Sequence, residues 1–171
     1  LAMQDGTIVA GEPGADSGQG ALLVFTGAGS TWVSASLGAS DGAASDGLGS
    51  SVALDGANVV GGAPSAGGGA GAAYVFSGSG QSWTQSQELT QGDDPAAAFG
   101  TSVGISGGAI VVGAPDAAQG AGGVYEFERV GGSWWESSVN VSTSGQEGDH
   151  LGAAVGIAGT NVLAGAPDAA D

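Results

Sequence analysis

The sequence contains no cysteine and no lysine, and its only basic side chains are Arg129 and His150. Without cysteine no disulfide can staple the fold, which is compatible with either side of a membrane. One arginine stands against 17 aspartates and glutamates, a net charge of −16. Nucleic acid needs a basic footprint for its phosphates, and this chain has none to offer. An anionic membrane surface is excluded on the same ground. There is no uninterrupted apolar run of about 18 residues, so no segment reads as membrane-inserted. The first residues lack the basic and then apolar order of a secretory signal. The chain opens on Leu1 rather than Met, as a processed product or a piece of something longer would.

At 171 residues the chain has the size of one ordinary domain. It holds 37 glycines and 5 prolines, a composition bordering on low complexity. Yet 42% of its residues are hydrophobic, and they recur at fixed intervals, which disordered chains do not show. So many like charges repel one another in a compact state. Two readings follow. Either the chain lives at high ionic strength, where the Debye length shrinks to roughly 3 Å at 1 M, as in a halophilic source, or bound cations neutralise part of the charge.

The hydrophobic pattern is a repeat, the signal to seek before any motif. Three segments align without gaps: LGSSVALDGANVVGGAP at 48–64, FGTSVGISGGAIVVGAP at 99–115 and LGAAVGIAGTNVLAGAP at 151–167. Pro13 falls 51 residues before Pro64, and Trp32, Trp83 and Trp134 keep the same spacing, as do Phe25, Phe76 and Phe127. The units run 1–47, 48–98 and 99–150, with a half unit at 151–171. Each reads as four short strands. In the first, Val52 and Leu54, Val103 and Ile105, and Val155 and Ile157 alternate with small residues, the period of a strand. The small partners Ala53, Gly104 and Gly156 suit a crowded axis. A two-residue turn, Asp55-Gly56, Gly107-Gly108 or Gly159-Thr160, leads to a nearly continuous apolar strand of the kind buried on both faces. GAP ends that strand, because proline cannot donate to a ladder, and a glycine-rich loop follows. The third strand carries Leu23/Phe25, Tyr74/Phe76 or Tyr125/Phe127. The fourth is polar with one Trp, as a solvated edge strand should be. Four antiparallel strands at this period are the size of a propeller blade. The polar last strand favours that architecture over a β-solenoid or a stacked array of sandwiches.

The residues Phe99-Gly100, Leu48-Gly49 and Leu151-Gly152, then GAP, then the YVF of 74–76 and the Trp strand, resemble FG-GAP repeats of the short-looped prokaryotic type. They resemble integrin α-chain propeller blades more distantly. The resemblance spans essentially the whole chain. It implies an all-β propeller, commonly seven-bladed, of which this chain would supply three and a half blades. The rest would come from a longer chain or a second copy. It implies an extracellular or cell-surface setting and a non-catalytic role in adhesion, protein binding or assembly. The other readings are a structural subunit of a filament or surface layer and a propeller domain accessory to a hydrolase. Integrin-type blades often carry a DxDxDG calcium loop between the first two strands. Here those positions read LDGAN, SGGAI and AGTNV, with Asp55 alone acidic.

Carboxylates recur before each FG segment: Asp41 and Asp46, Asp93 and Asp94, Glu147 and Asp149. Others follow GAP: Asp16, Asp116 and Asp168. Oxygen ligands suit hard cations, so Asp93, Asp94, Asp116 and Asp168 are the weak metal candidates, with Ca2+ as the ion. The plainer readings are a solvated acidic rim and, for the post-proline aspartates, Asx-type capping of a turn. His150 has no ligand motif around it in sequence and reads as an exposed loop residue. No GxSxG-like nucleophile turn is present. Asn140-Val141-Ser142 is a glycosylation sequon. Trp134-Trp135 is the one doubled Trp; it marks a partner contact, or one ring packs between blades and the other lies on the rim. The partners expected are another protein or further copies of this chain. The charge argument yields a prediction: thermal unfolding shifts to higher temperature as salt rises to molar levels, and a flat midpoint by calorimetry would contradict it.

Overall fold

The computed structural model describes residues 1–92, 97–140 and 146–170. Strands β1 (Ala2–Gln4), β2 (Thr7–Glu12), β3 (Ala21–Ala28) and β4 (Thr31–Leu37) form the first sheet. Strands β5 (Ser51–Asp55), β6 (Asn58–Ala63), β7 (Ala72–Ser79) and β8 (Ser82–Leu89) form the second. Strands β9 (Ser102–Ser106), β10 (Ala109–Ala114), β11 (Gly123–Val130) and β12 (Ser133–Asn140) form the third. A hairpin of β13 (Ala154–Ala158) and β14 (Asn161–Gly165) follows. Each four-stranded sheet is an antiparallel meander in chain order.

The sheets stand side by side as wedges. Contact is dense between the first strands of neighbouring sheets (β5 with β9, β9 with β13) and sparse between fourth strands (β4 with β8, β8 with β12). Sheets that converge at their first strands and splay at their fourth are propeller blades, set around a shared axis. A solenoid would keep the spacing constant. At the convergent end a Cβ on Gly104 would touch Val111 Cγ2 at 3.0 Å and Ile157 Cγ2 at 3.1 Å. Only a small residue fits there.

The core lies between blades, not within one. Val9, Leu22, Val24 and Leu37 of blade 1 and Leu48 of the connector pack against Val59, Tyr74 and Phe76 of blade 2. Val60, Val75 and Leu89 on the other face of blade 2 pack, with connector residue Phe99, against Ile105, Ile110, Val112, Phe127 and Trp134 of blade 3. The second strand is buried on both faces for this reason. Phe99 drives its ring edge-on into Tyr125 and Phe127, at centroid distances of 5.3 and 6.1 Å. Such aromatic pairs add to plain burial.

Two details depart from the sequence reading. The turn of blade 2 is Gly56-Ala57, because Asp55 still pairs with Asn58 in the ladder. The loop after GAP is a helical turn, at Ala15–Gly18, Ala66–Gly69 and Ala117–Gly120. It enters the left-handed region even without glycine, at Asp16 and Ser17 and at Ala118 and Gln119. Each such residue costs roughly 1–2 kcal/mol.

The FG and GAP glycines meet at every blade junction. Gly49, Gly100 and Gly152 donate their N–H to the carbonyls of Gly62, Gly113 and Gly165, at 2.9, 3.1 and 2.9 Å. Their own carbonyls lie against Gly11, Gly62 and Gly113 of the preceding blade, where a Cβ would collide with them. Gly62→Ala should therefore cost on the order of 3 kcal/mol or block folding, since backbone meets backbone and neither side chain can move away. Gly56→Ala faces open space but has a φ of +56°, and should cost only about 1 kcal/mol. Denaturant midpoints of the two variants check the contrast.

Candidate functional site

The connectors and the post-GAP turns share one rim of the blades, and most of the acidic side chains collect there. Between blades 1 and 2 they line a pocket of about 380 Å³. Asp41 and Asp46 come from the connector, Tyr74 from β7 and Glu88 from β8, with Thr90 and Gln91 closing the side. Strand alternation turns Tyr74 toward blade 1, where it is buried, with the Asp41 carboxylate near its hydroxyl. Burial first, then the carboxylates of Glu88, Asp41 and Asp46, push the Tyr74 phenol far above its ordinary range. Desolvation at the pocket wall, then Asp41, raises Glu88. The Asp46 carboxylate also accepts a hydrogen bond from Ala43 N at 2.6 Å, which ties the connector into a turn.

Asp93 and Asp94, and Val141 and Ser142 of the sequon, lie outside the described residues. Asn140 is exposed and donates to the Glu126 carboxylate at 3.1 Å. Asp116 and Asp168 flank one ring. His150 Nδ1 lies 2.9 Å from Asp168 Oδ2, and Nε2 lies 3.6 Å from Asp116 Oδ1. Asp116 opens the helical turn after its proline without a side-chain cap, contrary to the Asx expectation. The turn is closed by the backbone instead, through Gly120 N to Asp116 O and Gly122 N to Ala117 O, which frees the carboxylate to face the imidazole. The two carboxylates sit against different ring nitrogens. Among the described residues no three His, Asp or Glu side chains are grouped to hold a metal ion.

Trp134 is buried and Trp135 is 63% exposed. Gln87 of blade 2 holds the backbone of Trp134 with both ends of its amide: Nε2 donates to the carbonyl at 2.6 Å, and Oε1 accepts from the N–H at 2.7 Å. A side chain thus occupies the edge of β12 as a neighbouring strand would. Arg129 stands over the Trp134 ring, 5.8 Å from its centroid. At the axial end, Gln4, Asp55 and Ser106 accept from the N–H groups of Gly56, Gly107 and Gly159 in the next blade, at 2.7, 2.8 and 3.2 Å.

The model of the FG-GAP repeat matches residues 32–76 and 83–127. The chain belongs to the FG-GAP repeat family. Each match runs from the fourth-strand Trp of one blade to the third-strand Phe of the next. The FG-GAP unit as a sequence therefore crosses a blade junction, where the glycine contacts lie. No curated protein matches the chain. No helix among the described residues is long and apolar enough to cross a membrane.

Sequence reasoning had marked Asp41 and Asp46, but not Tyr74 and Glu88. Nothing in an i, i+2 strand pattern says which blade face meets the connector. Glu88 supplies a test. Its folded form binds a proton more readily than the unfolded chain, so its contribution to stability is complete below the ordinary value of 4.5 and is lost as pH rises. Glu88→Gln should raise stability at pH 7 by a few tenths of a kcal/mol, small because the site is solvent-screened. The gain should vanish in acid, as followed by denaturant melts at both pH values.

Proposed function

We propose that this chain is a non-catalytic β-propeller module of an extracellular or cell-surface protein, and that its work is to bind or assemble proteins. The family supports this reading, since the FG-GAP propeller repeat is typically a non-catalytic module. The observation that carries it is the outer hairpin of blade 3. There Val130 and Trp135 are exposed on one face of β11 and β12. One blade earlier the equivalent positions of β7–β8 are Ser79 and Thr84, while blade 1 carries Val33, 39% exposed, at the position of Trp135. An exposed apolar group on an outer strand marks a contact surface, and Trp is enriched where contacts carry energy. With a net charge of −16, the partner that fits is basic or meets the chain at high salt. A further copy of the chain is the other occupant, either completing a ring or extending a filament. A calcium ion on the acidic rim would ease the repulsion without changing the assignment.

Trp135→Ser should leave circular dichroism and the melting midpoint nearly unchanged, because the ring is mostly in solvent. It should also abolish or weaken any association seen by sedimentation velocity. A discrete monomer or dimer in molar salt supports a binding module. An open-ended size distribution supports the filament reading. Unchanged association in Trp135→Ser removes the hairpin from the interface.

A further inference from the structure

On the face that blade 3 turns toward the β13–β14 hairpin, a charge replaces an apolar side chain. The third-strand residue opposite the centre of the second strand is Val24 in blade 1, Val75 in blade 2 and Glu126 in blade 3, paired with Val9, Val60 and Val111. Val24 and Val75 are fully buried in the contact with the following blade. Glu126 instead lines two hollows of about 170 and 320 Å³, which also share Val162 of β14. Together they make a trench between β11 and the hairpin. Val111 and Val124 line one side, Val162 and Ala164 the other, and Glu128 is its second carboxylate. The Asn140 amide donates to Glu126 Oε1 at 3.1 Å, and among the described residues no cation pairs with that carboxylate. Arg129 falls on the opposite face of β11 by strand alternation, over the Trp134 ring. A free strand edge runs along the trench. In blades 2 and 3 the second strand is bonded to the third, whereas among the described residues β14 pairs with β13 alone.

We propose that this trench is a docking slot for an extended, basic segment of a partner protein, which adds to β14 as a third strand and sets a lysine or arginine against Glu126. It rests on the binding role proposed above and gives the partner its chemistry. An unpaired edge supplies backbone donors and acceptors, the basis of recognition by strand addition, while alternate side chains supply selectivity. In blades 2 and 3 a third strand occupies the same position beside the second, so the fold accommodates a strand there. The valines of the trench take apolar side chains at every second position of the incoming strand. Glu126 selects against a purely apolar strand, because covering a carboxylate without a partner is costly. A cation at that position is held by a charge-assisted hydrogen bond, and the net charge of −16 favours its approach. A second copy of the chain fits the slot poorly. It has no lysine, its single arginine lies inside β11, and like charge opposes its approach.

The probe is a short capped peptide that alternates threonine and valine, with lysine in place of the central valine. One control peptide carries glutamate at the centre, and another is the lysine peptide N-methylated throughout. By titration calorimetry the lysine peptide should bind on the order of tenfold more tightly than the glutamate peptide, the scale of one charge-assisted hydrogen bond. The N-methylated peptide, which cannot donate to the edge, should not bind. Amide exchange of β14 should slow with the lysine peptide bound, while β5–β8 stay unchanged. Glu126→Val, the residue type of the other two blades, should fold and lose the preference for lysine. Glu126→Gln, which keeps an acceptor for Asn140, should lose it too. A lysine preference that survives both substitutions overturns the proposal, as does equal binding of the N-methylated peptide. Protection of β14 without peptide also overturns it: if it rises with protein concentration the edge belongs to a second copy, and if not, to a segment of the protein itself. Self-association that Trp135→Ser abolishes, with no binding of the lysine peptide, sinks the slot and leaves the binding role standing. Absence of both sinks the two together.

Discussion

Where one blade passes to the next, the carbonyls of Gly49, Gly100 and Gly152 run against the glycines that open GAP, and their N–H groups bond to the next GAP glycine along. The two halves of the repeat are therefore one contact, seen from its two sides. The aromatic or leucine before the FG glycine can bury completely because that glycine turns the chain with φ between +91° and +94°, a region open to residues without a Cβ. Once Leu48 or Phe99 is seated, the second strand of the next blade is covered on its other face. A two-sided apolar strand then becomes stable. The blade is thus not an independent unit. Its core belongs to the junction, as in other repeat architectures where each unit contacts only its neighbours.

That dependence explains what the sequence made legible. Positions answering to backbone collision, such as Gly62 and Gly113, tolerate one residue type and so recur visibly. Positions answering to inter-blade packing, such as Phe76, Phe127, Trp83 and Trp134, tolerate few. The period, the four strands and their order follow from these. The post-GAP turns were harder to read. Their left-handed conformation is carried by Gly67-Gly68 in one blade but by Ala118-Gln119 in another, so composition gives no common signal. The His150 bridge could not be seen at all. Its carboxylates lie 34 and 18 residues away, and only the sheet stacking brings them together. The same is true of Gln87, whose two-sided hold on Trp134 spans 47 residues.

Electrostatics accounts for the kind of links the blades use. With 17 acidic residues and one arginine, charge pairing has little to join the blades with beyond the contacts of His150. The junctions are closed mostly by neutral donors and acceptors, Gln4, Ser51, Ser102 and Gln87 against backbone groups, with Asp55 a carboxylate acceptor among them. Such bonds keep their strength when salt screens the charges, whereas exposed ion pairs weaken. A fold held in this way gains from high ionic strength, which relieves repulsion and leaves its own links untouched.

Against that uniform background, the informative residues are the ones that break the repeat. A repeating array fixes its scaffold by what recurs, so a side chain present at a single junction is not required by the scaffold. Asp41 and Glu88 gather carboxylates around Tyr74 at the first junction. His150 adds an imidazole between two carboxylates at the third, and Trp135 exposes an aromatic ring on the outer strand beside it. The last two lie on the same blade, one on its connector rim and one on its outer edge. Blade 3 therefore carries two such departures at positions left free by packing.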